Sequence, residues 1–258
     1  MDLSVAIPAK NEERYIVGCV ESVQDLADEV LVVIGPDNRD RTGPLAQESG
    51  ARVVQEPFVS FAHLRNRLLN MCRHPWVLFL DADERATTEL RQELAGLSGK
   101  EPDANDPQAV VGYWIPRRNY FFGKRVDHGG WYPDHQLRLI FRARAHYPEE
   151  QRVHEVVQLQ GQTEKLQGHM LHYNVDNLPE FQAKQRRYAR LEAETLLQQG
   201  QRARPRHLLT RPLKESWRRY ITLAGWRDGL VGLYLCAAMG YYQFQTYWHL
   251  LRMQGREG

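Results

Sequence analysis

Cysteine is scarce. Cys19, Cys72 and Cys236 are the three thiols of a 258-residue chain. They share no Cys-x-x-Cys spacing and no even count, which excludes a disulfide scaffold or a thiolate zinc site. A reducing compartment suits such a chain. Glycine-rich phosphate loops are missing too. There is no Gly-x-Gly-x-x-Gly and no Walker lysine loop, so the dinucleotide fingerprint and the ATPase loop are both excluded. Internal repeats are absent. Met1, Asp2, Leu3 and Ser4 lack the basic and apolar stretches of a secretory leader. What remains is an ordinary globular composition, 42% hydrophobic and 26% charged. The length suits one large domain, or one with a smaller appendage.

The formal net charge of +2 conceals an asymmetry. Residues 176–258 carry 14 Lys/Arg against 7 Asp/Glu, while the preceding 175 residues carry 20 against 25. A basic tail on a mildly acidic body points to an anionic surface as partner, membrane or nucleic acid. No nucleic-acid-binding motif accompanies the charge, which favours the membrane.

Strand and helix patterns alternate over the first ninety residues. Apolar runs at 3–8, 29–34, 52–54 and 76–80 read as strands, and 11–23, 42–49 and 61–72 as helices. Asn11 is a candidate N-cap. Strands that are apolar throughout, separated by helices, imply an α/β fold with a mostly parallel sheet covered on both faces. Segments 100–108 and 128–133 read as loops. Segments 110–122 and 136–141, and two stretches around Gly161 within 153–173, read as further strands. Residues 179–199 and 213–251 are helical in pattern. The chain is therefore expected to divide into an α/β domain at 1–175 and a basic helical extension at 176–258.

Ligands in open α/β sheets bind beyond the carboxyl ends of the strands. Val77-Leu78-Phe79-Leu80-Asp81-Ala82-Asp83-Glu84 delivers two carboxylates there, one residue apart. Asp81 and Asp83 together suit a hard cation, Mg²⁺ or Mn²⁺, that also touches a diphosphate. The alternative is that Asp83 merely caps the next helix. Ile7-Pro8-Ala9-Lys10-Asn11-Glu12-Glu13 places donors and acceptors at the first strand's end, where a nucleotide base could lie; a plain capped helix start is the rival reading. Arg65 and Asn66, on the helix before the Asp81 strand, suit an anionic or uracil-like ligand, or else an exposed helix face.

Taken in order, Pro8-x-x-Asn11-Glu12, Asp40-x-Thr42, Arg65-Asn66 and Leu80-Asp81-Ala82-Asp83 resemble the motif series of family 2 glycosyltransferases. Ile115-Pro116-Arg117-Arg118-Asn119-Tyr120, His128-Gly129-Gly130-Trp131-Tyr132-Pro133-Asp134, Val153-His154-Glu155 and Leu171-His172-Tyr173 are similar to the lipopolysaccharide-core β-1,4-glucosyltransferase branch. The resemblance covers essentially the whole chain. It implies a GT-A fold, a nucleotide-sugar donor such as a UDP-sugar, a divalent metal, and an inverting transfer to a glycan or glycolipid. It places donor binding at Pro8, Asn11, Glu12, Arg65, Asn66, Asp81, Ala82 and Asp83. The metal would lie on Asp81 and Asp83, completed by His172. Glu155 becomes the first candidate for general base and Asp134 the second. One departure stands out: the family's Asp after the second strand is Gly35 here, followed by Pro36, so Asp37 is the substitute. Rival readings are a sugar nucleotidyltransferase, for which Pro8–Asn11 lacks the glycine loop, and a non-catalytic nucleotide-sugar-binding module associated with a membrane.

Residues 229–250 contain no Asp, Glu, Lys or Arg. Their length approaches the roughly 20 residues of a bilayer span, but Gln243, Gln245, Thr246 and His249 make the second half polar. An interfacial helix, a buried or oligomer helix, and a span all fit. Together with the basic stretch, they predict a cytoplasmic protein peripheral on the inner face of the cytoplasmic membrane.

Overall fold

The computed structural model describes residues 2–97, 101–103, 106–148 and 157–255. The chain forms two compact units, Met1–Arg117 with Asp134–His172, and Arg118–Pro133 with Tyr173–Gly258.

The first unit opens as the sequence predicts. β1 (Leu3–Ala9), α1 (Ile16–Glu21), β2 (Glu29–Ile34), α2 (Thr42–Glu48), β3 (Arg52–Gln55), α3 (Phe61–Met71) and β4 (Trp76–Phe79) alternate along the chain. β3-β2-β1-β4 pair in parallel in that order. Successive side chains of one strand enter opposite cores, as the pleat requires. Leu3, Val5 and Ile7 join one apolar cluster with Ile16, Val20 and Leu90. Ala6 joins the other, with Leu31, Leu68 and Phe79. Both faces are covered, so every residue of β2 and β4 is buried and apolar patterning shows no alternation. The carboxyl ends of β2, β1 and β4 consequently lie side by side on one edge.

Two local readings change. Asn11 does not cap α1. Its backbone is left-handed, with φ of 56°, a conformation Asn tolerates better than most residues. The helix starts only at Ile16, after Tyr15. Asp83 caps nothing either. β5 (Glu84–Ala86) follows it, and α4 (Thr88–Gly96) is capped by Thr87, whose side chain accepts from Leu90 N at 3.3 Å.

Beyond β4 the pairings are mostly antiparallel. β6 (Val110–Phe121), β7 (Lys124–Val126), β8 (Asp134–Phe141), β9 (Ala145–His146), β10 (Gln158–Leu159), β11 (Gln162–Lys165) and β12 (Met170–Val175) follow in the chain. β8 pairs antiparallel with both β4 and β6, and β11 joins β6 in parallel. β12 pairs antiparallel with β5, setting His172 opposite Glu84. The fold is thus α/β as expected, with a parallel half and a mostly antiparallel half. The three cysteines are buried and free, and burial pushes the Cys72 thiol up to about 12.

In the second unit, α5 (Leu178–Gln198), α6 (His207–Trp217) and α7 (Gly229–Gln254) pack together, with a π-helical turn at 218–222 and a 3₁₀ turn at 225–228. Asn177 caps α5 by accepting from Glu180 N at 3.0 Å. α7 holds the charge-free aromatic segment 229–250 and carries Arg252 in its last turn. It buries Leu235, Cys236, Tyr242, Tyr247 and Leu250 among its neighbours. Gly232 lets it come close: a Cβ there would sit 2.1 Å from the Gly225 carbonyl oxygen. No helix among the described residues is long and apolar enough to cross a membrane.

Candidate active site

The edge formed by the carboxyl ends of β1, β2 and β4 holds the polar residues singled out in the sequence. The loops after β1 and β2 are laced together. Asn11 N donates to Asn38 Oδ1 at 2.8 Å, and Arg39 N returns a bond to Asn11 Oδ1 at 2.8 Å. Glu12 N donates to Thr42 Oγ1 at 2.7 Å, and Glu13 N to Asp40 Oδ2 at 3.0 Å. Asp40-x-Thr42 therefore ties the second loop to the first. Pro8, half-buried at the end of β1, lies in register with Val33. Asp37 is exposed and ion-paired with Lys10, whose ammonium holds its carboxyl below the usual range.

At the end of β4 the chain turns tightly, with Glu84 N donating to the Asp81 carbonyl at 2.9 Å. This turn, with Ala82 buried at its centre, separates the two aspartates by environment. Asp81 meets cations. Arg138, from β8, grips both its oxygens, and Arg65, from α3, reaches Oδ1 at 3.4 Å. Burial alone would raise the Asp81 pKa, but Arg138 and then Arg65 outweigh it and hold the carboxyl well below the usual range. Asp81 is therefore ionised at any physiological pH. It is not sealed in: 38% of its side chain faces solvent, enough to meet a ligand.

Asp83 has a different partner. Its Oδ2 lies 3.4 Å from His172 Nε2. The β5–β12 pairing brings the imidazole there. Two donors on one octahedral Mg²⁺ or Mn²⁺, each at about 2.1 Å, stand about 3 Å apart, so this pair fits a divalent cation. Among the described residues, Asp81, Asp83 and His172 do not bring three ligand atoms within 4.8 Å of one another. Among the described residues, the trio whose ligand atoms lie within 4.8 Å of one another is Asp2, Asp28 and His74, on another part of the unit. A two-ligand protein site suits Mg²⁺, which is usually held by one or two carboxylates together with substrate phosphates rather than by an all-protein cage.

Glu84 is the hub that sequence reasoning missed. Its side chain has no solvent exposure. Oε2 accepts from Asp81 N at 3.0 Å, while Oε1 accepts from Arg117 at 3.0 Å and from Arg138 at 2.8 Å. Arg117 in turn holds Asp134, donating from Nε at 2.9 Å and Nη2 at 2.6 Å to the same oxygen. Gln136 donates to the other Asp134 oxygen at 2.7 Å. Arg65 stacks over the Phe79 ring, 4.5 Å from its centroid. Asn66 holds the backbone of Tyr147 from both ends of its amide, at 2.8 and 2.9 Å. Arg65, Arg117 and Arg138 thus alternate with Asp81, Glu84 and Asp134. The available signal was an arginine, Arg138, inside the apolar alternation of β8. Glu155 lies outside the described residues.

Comparison with known proteins identifies the family. Residues 4–151 match the family model of Glycosyl transferase family 2. The lipopolysaccharide core biosynthesis glycosyltransferase LpsC of Rhizobium meliloti (strain 1021) is 30% identical over 252 residues, spanning 95% of this chain and 90% of that one. An uncharacterized glycosyltransferase of Rickettsia bellii (strain RML369-C) is 35% identical over 92 residues, 36% of this chain and 31% of that protein. Among solved structures, S. aureus TarS 1–349 in complex with UDP-GlcNAc covers 100% of this chain and 92% of its own at 14% identity and a TM-score of 0.47. From the length of the family match and the near-complete span of its relative, the chain belongs to glycosyl transferase family 2 and is a glycosyltransferase.

Proposed function

We propose that this glycosyltransferase is inverting and metal-dependent, moving a sugar from a nucleotide-sugar donor, a UDP-sugar, to a glycan or glycolipid acceptor. The pathway would be lipopolysaccharide or another cell-surface polysaccharide, for which its relative is named. The work would take place at the inner face of the cytoplasmic membrane, with the basic C-terminal segment against anionic lipid. The observation that carries this reading is the Asp83–His172 pair at 3.4 Å beside the ionised Asp81, at the edge where parallel strands end.

Asp83 and His172 would hold the divalent ion, which when bound offsets negative charge on a departing diphosphate. The chain's own residues do the rest. Arg65 and Arg138 fix the Asp81 carboxylate, and the laced loops of Asn11, Glu12 and Asp37 border the donor base. In the transfer, the acceptor oxygen bonds to the anomeric carbon as its bond to the diphosphate oxygen breaks. The hydroxyl proton passes to a carboxylate, and the bonding pair leaves with the diphosphate. Asp134 has its oxygens committed to Arg117 and Gln136, which favours Glu155 as the base.

A thermal-shift series of UDP-, GDP- and dTDP-sugars with and without Mn²⁺ tests the donor assignment. A UDP-sugar should raise the melting temperature only with metal present. No stabilisation by any nucleotide sugar would remove the reading. Glu155→Gln should lower turnover by at least about 100-fold while donor affinity is kept. Full activity in Glu155→Gln together with a dead Asp134→Asn would transfer the base to Asp134.

A further inference from the structure

α7 divides its large apolar side chains: Leu235, Tyr242, Tyr247 and Leu250 are buried, while Leu230, Leu233, Tyr241 and Trp248 are exposed. The exposed apolar row that is interleaved with exposed basic side chains lies on α6 and the π turn. There, Leu209, Leu213, Trp217 and Ile221 recur every fourth residue and are all exposed. That spacing puts them on one face of the helix. α6 buries no residue at all. Exposed basic side chains, Arg211, Lys214 and Arg218, interleave with the stripe along the same turns.

We infer that this stripe is a membrane-contact face that lies in the headgroup region of an anionic bilayer. The inference deepens, and rests on, the membrane association proposed above, and it names the surface responsible. Three features select lipid over a protein partner. A helix whose apolar stripe is bordered by Lys and Arg is the pattern of an in-plane interfacial helix. Trp217 is a ring of the kind enriched at the membrane–water boundary. Closing the face against a second copy would bring Arg211, Lys214 and Arg218 against their own equivalents, in a segment that already carries 14 Lys/Arg to 7 Asp/Glu. Anionic headgroups meet both requirements at once: they neutralise the basic row and admit the apolar one. Each basic residue near such a surface strengthens binding about fivefold, an effect that fades within a Debye length of about 8 Å at physiological salt. The apolar stripe supplies the part that salt does not remove.

Co-sedimentation of the full chain with vesicles of phosphatidylcholine, alone or with phosphatidylglycerol, tests this. The variant is the double change Leu213→Glu with Trp217→Glu, at positions 62% and 65% exposed, where the fold has little to lose. Circular dichroism and UDP binding serve as controls for both proteins. The wild type should partition onto phosphatidylglycerol vesicles, weaken as salt rises and keep a residual fraction at high salt. The double variant should lose at least about tenfold in partitioning. Wild-type binding that the double variant retains would overturn the stripe and leave membrane association standing. No binding by the wild type at low salt would overturn both. A dimer in solution that Leu213→Glu with Trp217→Glu dissolves, with vesicle binding unchanged, would make the stripe a self-contact instead.

Discussion

Asp83→Asn is expected to abolish metal-dependent nucleoside-diphosphate binding and leave the fold intact. Asp83 faces solvent over 23% of its side chain and lies 3.4 Å from His172 Nε2. Losing its charge removes one of two protein donors for the cation. Even the outer-shell partners of metal ligands are worth about 10–100-fold in affinity, so loss of a ligand itself should cost at least about 100-fold. Isothermal titration with UDP and Mn²⁺ gives the answer directly. A folded Asp83→Asn protein with wild-type affinity would remove the metal from this pair. Asp81→Asn should behave differently. It leaves Arg138 with Glu84 as its remaining carboxylate, so its effect reaches stability as well as binding. In the sequence the two aspartates look equivalent, a matched pair at a strand end. The structure gives one to arginines and the other to a histidine.

That division marks where sequence reasoning runs out. The parallel strands β1 to β4 were legible because each is an apolar run bounded by helix patterns, and burial on both faces needs nothing more. β5 was not. Glu84-Arg85-Ala86 is three residues long with two charges, and it becomes a strand by pairing with Met170–His172, far along the chain. The site inherits that blindness. His172 was proposed as a ligand from resemblance, while the register that carries it to Asp83 is a long-range property. The direction of β8 is of the same kind. The alternation at 136–141 announces a strand and is silent on whether it runs with or against β4. Arg138 could be seen as an odd residue in an apolar strand, but its partner Glu84 could not, because a buried ion pair is visible in sequence only once the two strands are known to meet. The tail is ambiguous in a different way. The lack of charge at 229–250 describes a lipid-facing helix and a buried one alike, and α7 exposes Leu230, Leu233, Tyr241 and Trp248 while it buries Leu235, Tyr242, Tyr247 and Leu250. The exposed stripe of α6 was hidden by the basic residues that interleave with it.

Glu84→Gln should be the most damaging single change in the first unit, although Glu84 is removed from solvent and need touch no substrate. Its two oxygens hold the Asp81 backbone, Arg117 and Arg138 together. Burial works against the charge of Arg138, and Asp81 and Glu84 overcome it to raise its pKa. An uncharged glutamine side chain keeps the shape and can still accept from Asp81 N, but it leaves Arg138 buried with half its countercharge. The Nε of Arg138 is already buried without a partner among the described residues, so the guanidinium has no spare contact to fall back on. Removing one member of a buried ion pair costs about 3–5 kcal/mol. At roughly 2–4 °C per kcal/mol for a chain of this size, the melting temperature should fall by on the order of 10 °C. The buried charge rather than the lost hydrogen bonds is the cause, and a second change separates the two. Arg138→Met in the Glu84→Gln background removes the stranded guanidinium, so the double variant should melt above Glu84→Gln alone, a coupling of about 1–3 kcal/mol in a double-mutant cycle. Melting within about 2 °C of wild type for Glu84→Gln, or strictly additive losses in the cycle, would show that Glu84 is not the residue that neutralises Arg138.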